Sequence, residues 1–429
     1  MIRPIMSYAV TVWAAGLETR TCDLKLTYLQ RRACLSVSSA YPGTPTAALE
    51  MLLGLPPLPL FLKGVAVTGA YRLKQMGLWK DGYIKDTLAH QSHVNWCNRN
   101  SRNLPVLAFP GDLCNARLNL LVRFNTSTEV SDPTEEGSTV PCFTDGSKLE
   151  SGETGAGVHF PRGNDNDLVH YLGVHSSVFQ AEVLAITLAA ERLTSTIPGE
   201  TDVEGVTIYS DSQAAIKAVA SLRTRSKTVN QCVNALNSLG QLTEVTLQWV
   251  KAHVGTAGNE TADLLAKEAA GTPCAGPEPF LPIPFSSCKR AIARWIEEGS
   301  RDRWHNLSTC KLTKELFERP LNRRGSLKLL SLTRRKLRLT LQILTGHGNF
   351  GSHNRKTGKW ATDTCRRCDL GPETRIHIVE ECPSYHRTRE FTLDGYSTDL
   401  HGIIRTLSFS HLSSFLEGIG RLEDFNDQH

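Results

Sequence analysis

GVTIYSDSQAAIKAV, residues 205–219, runs from an apolar, strand-like stretch straight into a helical pattern, with one aspartate at the junction. A carboxylate at the mouth of a strand is ordinarily an N-cap for the helix that follows. Either Asp211 or Ser212 could do that work here. The meaning of Asp211 depends on whether other carboxylates in the chain share the same placement.

They do, across residues 138–271. TVPCFTDGSK reads as a strand interrupted at Asp145-Gly146, and TGAGVHFP and DLVHYLGV as short strands joined by a turn-rich segment. SSVFQAEVLAITLAAERL is a helix with Ser177 as its cap. After GVTIYS come two helices, SQAAIKAVASL and SKTVNQCVNALNSLG, then the strand EVTLQWVKAHVG and the helix NETADLLAKEAA. The order βββαβααβα describes a mixed sheet with helices packed on its faces. Glu182 falls inside an apolar helical context, and Asp263 is flanked by Ala262, Leu264 and Leu265. Converging carboxylates ~4 Å apart repel strongly unless they share protons or bind cations. Hard oxygen ligands favour Mg2+ or Mn2+. A pair of such ions suits phosphodiester hydrolysis.

FTDGSK, GAGV, QAEVLAI, YSDSQAAIKA and WVKAHVGTAGNETADLLAK together resemble the successive signature segments of ribonuclease H. That resemblance implies an α/β fold with a mixed five-stranded sheet, and cleavage of the RNA strand of RNA–DNA hybrids. It implies that Asp145, Glu182, Asp211 and Asp263 hold two Mg2+ ions (or Mn2+), with Asp145 bridging both. His253 occupies the position of the family's loop histidine, which assists proton transfer or product release. Gly146 and Ser147 are expected to let the backbone approach the RNA, whose 2′-OH groups distinguish it from DNA. The small residues of TGAG are expected to serve close backbone packing. Some ribonucleases H carry an extra basic helix and loop that grips the hybrid, where this chain has only SLRTRSK, residues 221–227.

Cys365, Cys368, His377 and Cys382 have the spacing C-x2-C-x8-H-x4-C, suited to one closed, structural Zn2+ site. Residues 289–390 carry 23 Lys and Arg against 11 Asp and Glu, whereas the rest of the chain is net acidic. Such a basic segment is expected to hold RNA or single-stranded nucleic acid, with Arg366, Arg367 and Arg375 as contacts around the zinc. The cysteine element and IRPIMSYAVTVWA near the start resemble non-LTR retrotransposon polyproteins of the Jockey type. The chain then corresponds to the C-terminal part of such a polyprotein, encoded alone and without polymerase motifs.

The expected organisation is a helical region at 1–95, a linker at 96–137, the ribonuclease H domain at 138–271, a basic helical linker at 272–345, the zinc-binding module at 346–395 and a tail at 396–429. No apolar run is long enough for a membrane span. Arg3 ahead of a short apolar segment has the outline of a secretory leader. Twelve cysteines in 429 residues are nevertheless too dilute for a secreted disulfide scaffold. An intracellular protein, nuclear or cytoplasmic, is expected. The alternative is a decayed mobile-element product that binds nucleic acid without cutting it. DNA transposition on a related fold is disfavoured by WVKAHVGTAGNETAD.

Overall fold

Strand β1, Thr139–Lys148, is the axis of the sheet. Antiparallel to it runs β2, Thr154–His159, and beyond that β3, Leu168–Gly173. Helix α1, Val178–Thr196, leads to β4, Gly205–Ser210, parallel to β1 on its other side. Helices α2, Gln213–Val219, and α3, Lys227–Leu239, precede β5, Glu244–Trp249, which is parallel to β4; helix α4, Ala257–Gly271, closes the series. This computed structural model describes residues 2–78, 99–100, 104–121, 123–125, 138–162, 167–199, 203–252, 255–272, 276–393 and 399–420.

The βββαβααβα order is the expected one, and the five-stranded sheet is present in the order β5-β4-β1-β2-β3. Its core is aliphatic: Val206 and Ile208 from β4 and Val245 and Leu247 from β5 pack with Ile186 of α1 and Val233 and Leu236 of α3. Each such fully buried side chain stabilises the fold by about 1.5–3 kcal/mol. Opposite faces of the sheet are covered by different helices, because side chains alternate along a strand. A Cβ on Gly146 would strike α1, whereas Cβ atoms on Gly155 and Gly157 would strike α4. Ala156, the partner of Gly146 across β1 and β2, lies between those two glycines.

The domain extends beyond both expected boundaries. A sixth short strand, Arg123–Asn125, joins the sheet parallel to β5, inside the stretch expected as a linker. Upstream, Ala116–Arg117 pairs antiparallel with Arg223–Thr224, so SLRTRSK is held by a partner strand. The anchor is Asp112, a buried carboxylate that sequence reading passed over. Its Oδ1 accepts from the Thr228 amide at 3.0 Å in the first turn of α3, and its Oδ2 accepts from Ser226 Oγ at 2.8 Å and Gln180 Nε2 at 3.3 Å. Downstream, the Asp112 amide donates to Ile283 O at 2.8 Å, which draws the chain after α4 into the same unit, as far as Ile292.

The second compact unit joins the two ends of the chain, Met1–Val67 and Ala293–His429. It is helical, and one apolar core runs through it, from Leu49 and Leu52 through Leu337, Leu341 and Leu344 to Phe409 and Phe415. The stretches expected as a separate N-terminal region, basic linker, zinc module and tail thus share one interior. Helix Arg334–Thr345 shows why the basic residues misled: its Leu side chains are buried while its first turn carries the charge, with Arg334 donating to Ser36 O at 2.7 Å and Lys336 paired with Glu417 at 3.0 Å. Among the described residues, no helix is long and apolar enough to cross a membrane.

Candidate active site

Strand register places the first two carboxylates. Thr144 pairs with Ser210 in the parallel β1–β4 ladder, so Asp145, inside β1, and Asp211, just past the end of β4, follow side by side. The Ser212 side chain accepts from the Ala215 amide at the start of α2 and does the capping, which leaves the Asp211 carboxylate for other use. Trp249 Nε1 donates to Asp211 O at 3.0 Å, and Asn259 Nδ2 approaches Asp211 Oδ2 at 3.5 Å.

Glu182 comes from α1, whose start is fixed by a capping box. Ser177 Oγ accepts from the Gln180 amide at 3.3 Å, and Gln180 Oε1 accepts from the Ser177 amide at 3.2 Å. The helix then crosses β1 at Gly146. A Cβ there would lie 2.4 Å from the Glu182 nitrogen and 2.7 Å from the Ala181 carbonyl carbon. Gly146 thus has a duty inside the protein: it lets Glu182 reach Asp145. Ser147 is half-buried one residue further on.

Asp263 is brought by α4, seated on β2 through a stripe of small residues. Cβ atoms at Gly155 and Gly157 would approach the backbone of Ala266 and Ala262 to 2.4–2.5 Å, which confirms the packing duty expected of TGAG. Ligand oxygens of Asp145, Glu182 and Asp211 all lie within 4.8 Å of one another. Asp263 stands outside that trio, paired with Lys267 at 2.6 Å, one helical turn on. It is nevertheless close enough to act electrostatically on Asp145 and Glu182. His253 lies outside the described residues.

Burial, and then the neighbouring carboxylates, push Asp145 up to about 7 and Glu182 up to about 10. Both side chains are only 6% exposed. Among the described residues, Glu182 Oε2 is a buried oxygen with no hydrogen-bond partner, as is Asn259 Oδ1. An isolated carboxylate in such a place is costly, and three together are costlier. A set of hard oxygen donors, one of them unsatisfied, fits a divalent cation. Asn259 was not singled out in the sequence, although it stands one helical turn before Asp263.

The cysteine cluster is also assembled. Ligand atoms of Cys365, Cys368, His377 and Cys382 lie within 4.8 Å of one another. Cys365 and Cys382 Sγ are 4.0 Å apart, and Cys368 Sγ is 3.2 Å from His377 Nε2. With Zn–S near 2.3 Å, sulfur atoms at two corners of a tetrahedron stand about 3.8 Å apart, so the donors fit zinc. His377 offers Nε2 to the cluster, while its Nδ1 lies 3.5 Å from Glu381, an orienting carboxylate that sequence reading missed. Burial pushes the Cys382 thiol up to about 11, a cost that a bound cation offsets.

The arginines around it divide. Arg375 is buried, bonded to Glu315 at 2.8 Å and to Leu344 O at 3.3 Å, and is unavailable to nucleic acid in this arrangement. Arg366 is clamped to buried Glu373 at 2.9 and 3.1 Å and lies 4.6 Å over the Trp360 ring. Arg367 is exposed.

A mixed sheet in this strand order, with acidic residues converging from within β1 and from the end of β4, defines a domain of the RNase H type. The RNase H family model matches residues 137–271, under a third of the chain. No curated protein matches the chain.

Proposed function

We propose that the chain hydrolyses the RNA strand of RNA–DNA hybrids, with two Mg2+ or Mn2+ ions held by Asp145, Glu182, Asp211 and Asp263. The observation that carries this reading is the unpartnered Glu182 Oε2 within a cluster of carboxylates that burial drives toward protonation. Bound divalent ions supply the positive charge that keeps these groups ionised, activate water and stabilise the leaving oxygen. The chain's own residues do the rest. Trp249 and Asn259 orient Asp211, Gly146 and the Ser177–Gln180 box aim Glu182, and Lys267 neutralises Asp263. His253 serves proton transfer or product release, and the Ser147 region meets the RNA backbone. Cys365, Cys368, His377 and Cys382 hold one structural Zn2+, and the basic helical unit, with Arg367, engages RNA or single strands. The motif segments outside the nuclease domain favour a Jockey-type retrotransposon origin and an intracellular site of action.

The test is a labelled RNA–DNA hybrid incubated with the zinc-loaded chain, with and without Mg2+, beside Asp145→Asn. We expect cutting of the RNA strand alone, dependent on Mg2+ and lost in the variant. A folded chain that binds the hybrid without cutting it in Mg2+ or Mn2+ would overturn the enzyme reading in favour of an inert binding module.

A further inference from the structure

A second site stands in the helical unit. A cavity of about 900 Å3 opens between helix Thr46–Leu52, the chain leading to Phe61, the stretch 293–307 and the loop 319–323. That volume is ample for a nucleotide. Six arginines line it against two glutamates. Three of the six have neighbours inside the protein: Arg301 faces Glu297 at 3.7 Å, Arg303 stands 4.0 Å from Glu50 without a hydrogen bond to it, and Arg3 lies 4.4 Å over the Phe61 ring while donating to Pro56 O at 3.0 Å.

The other three, Arg319, Arg323 and Arg405, are exposed and have no carboxylate partner among the described residues. Arg323 and Arg324 also occupy the first turn of helix Arg323–Leu330, where no acidic residue stands. The helix dipole opposes cations at that end, so stability does not explain them. An anionic ligand would.

The buried side of the cavity asks for something different. Glu50 is 4% exposed. Its Oε1 accepts from Gln30 Nε2 at 2.9 Å, and its Oε2 stands 4.0 Å from Arg303, beyond hydrogen-bond length. The walls between Glu50 and the arginine rim are mainly apolar, including Met51, Leu55, Pro57 and Ile296. An occupant with an anionic group for the arginines, an apolar body for these walls and hydrogen-bond donors for Glu50 would match this lining. An acidic peptide would satisfy the arginines but set like charge against Glu50.

We infer that this cavity binds a guanine nucleotide, free or unpaired within a strand, with its base between the apolar walls, its N1–H and N2–H2 donors on Glu50 and its phosphate on Arg319, Arg323 and Arg405. Unpaired bases are read in this manner, by stacking and by hydrogen bonds to their Watson–Crick edge. Guanine presents two adjacent donors on that edge, which match a carboxylate, whereas adenine presents only its amino group.

The experiment uses the full zinc-loaded chain carrying Asp145→Asn, without Mg2+, so its outcome is independent of the nuclease reading. Anisotropy of labelled single-stranded hexanucleotides containing one guanine or only adenine measures the strand. Quenching of tryptophan fluorescence by GMP against AMP measures the free nucleotide, with Trp304 in the cavity wall as reporter. We expect guanine to bind about tenfold or more tighter than adenine, the scale of a two-donor base contact. Glu50→Gln should bring that ratio close to one. Arg319→Ala with Arg323→Ala should weaken both bases and reduce the salt dependence. Ala47→Leu, which adds volume inside the cavity and suits its helix, should weaken binding with the circular dichroism unchanged. Binding of GMP alone identifies the free nucleotide, and binding of the hexanucleotide alone identifies the strand. No guanine preference, a preference surviving Glu50→Gln, binding unaffected by Ala47→Leu, or equal competition by a polyglutamate peptide would each overturn the proposal.

Discussion

Replacing Asp145 by Asn should stabilise the metal-free protein, and more so at higher pH. Burial and the neighbouring carboxylates raise Asp145 from the usual 3.8 to about 7. A tenfold change in acidity is worth about 1.4 kcal/mol, so the ionised side chain costs the fold up to ~4 kcal/mol. The sign follows from proton counting. Between about pH 4 and pH 7 the unfolded chain has released this proton while the folded chain retains it, so stability falls as pH rises through that window. Glu182, raised to about 10, extends the decline upward. Asn removes one contribution outright and relieves Glu182 of a neighbouring charge. At about pH 5, roughly one unit into that window, the variant should already be about 1.5 kcal/mol more stable than the parent, and the difference should vanish only below about pH 4. At about pH 8 its nuclease domain should melt higher, by roughly 2–4 °C for each kcal/mol gained. Mg2+ should reverse the order, because only the parent keeps the full ligand set. Calorimetry from pH 5 to 8, in buffer freed of divalent ions other than stoichiometric zinc, measures both effects. A variant that is less stable at pH 8 without Mg2+, or whose difference from the parent does not change with pH, would refute the electrostatic account of the site.

Three further outcomes follow from the packing and charge. Gly157→Val sets a branched side chain against the Ala262 and Ala266 backbone; it should cost about 1–3 kcal/mol and, by lifting the segment that carries Asp263, lower cleavage more than hybrid binding. Cys382→Ser removes a ligand from a cluster whose residues Cys365, Ile378, Val379 and Cys382 belong to the helical core; the helical unit should lose its cooperative melting while the sheet domain keeps its own, as two calorimetric transitions will show. Arg335→Ala with Arg367→Ala removes two exposed cations; if both meet phosphates, the salt slope of hybrid binding should fall by about 0.9 per contact with kcat unchanged, and an unaltered slope would place the contacts elsewhere.

The sheet domain was legible because its determinants are local. Gly155, Gly157 and Gly146 stand within a few residues of the strands they adapt, and Ser177 and Gln180 sit three residues apart. A motif of ten residues therefore carries both an element and the reason it packs. Its boundaries were not legible. Asp112 reaches the amide of Thr228, more than a hundred residues away, and nothing in the polar stretch around it announces that partner. The helical unit was hidden for the same reason on a larger scale. Leu49 and Leu344 share a core across almost three hundred residues of chain, and an amphipathic helix declares that it has a buried face without naming what covers it.

Charges follow the same rule, and they show why the gathering of carboxylates could be read from the sequence and the partners of the arginines could not. Asp211 drew notice because Asp145, Glu182 and Asp263 stood in matching motif segments, and Ser212, its neighbour, could then supply the cap. Arg375 and Arg366 looked equally surplus. Their partners are Glu315, sixty residues upstream, and Glu373, on the far side of the cysteine turn. A basic residue beside a metal-ligand motif is thus ambiguous until its carboxylate is located, because a structural ion pair and a phosphate contact leave the same trace in sequence. The residues that keep a claim on nucleic acid are those that the fold leaves uncompensated. Around the cysteine cluster that is Arg367, and around the cavity it is Arg319, Arg323 and Arg405. The nuclease domain itself carries 15 Asp and Glu against 9 Lys and Arg across residues 138–271, and Arg223 of SLRTRSK is tied into a strand pair. Affinity for a polyanion would therefore have to come chiefly from cations outside the carboxylate cluster.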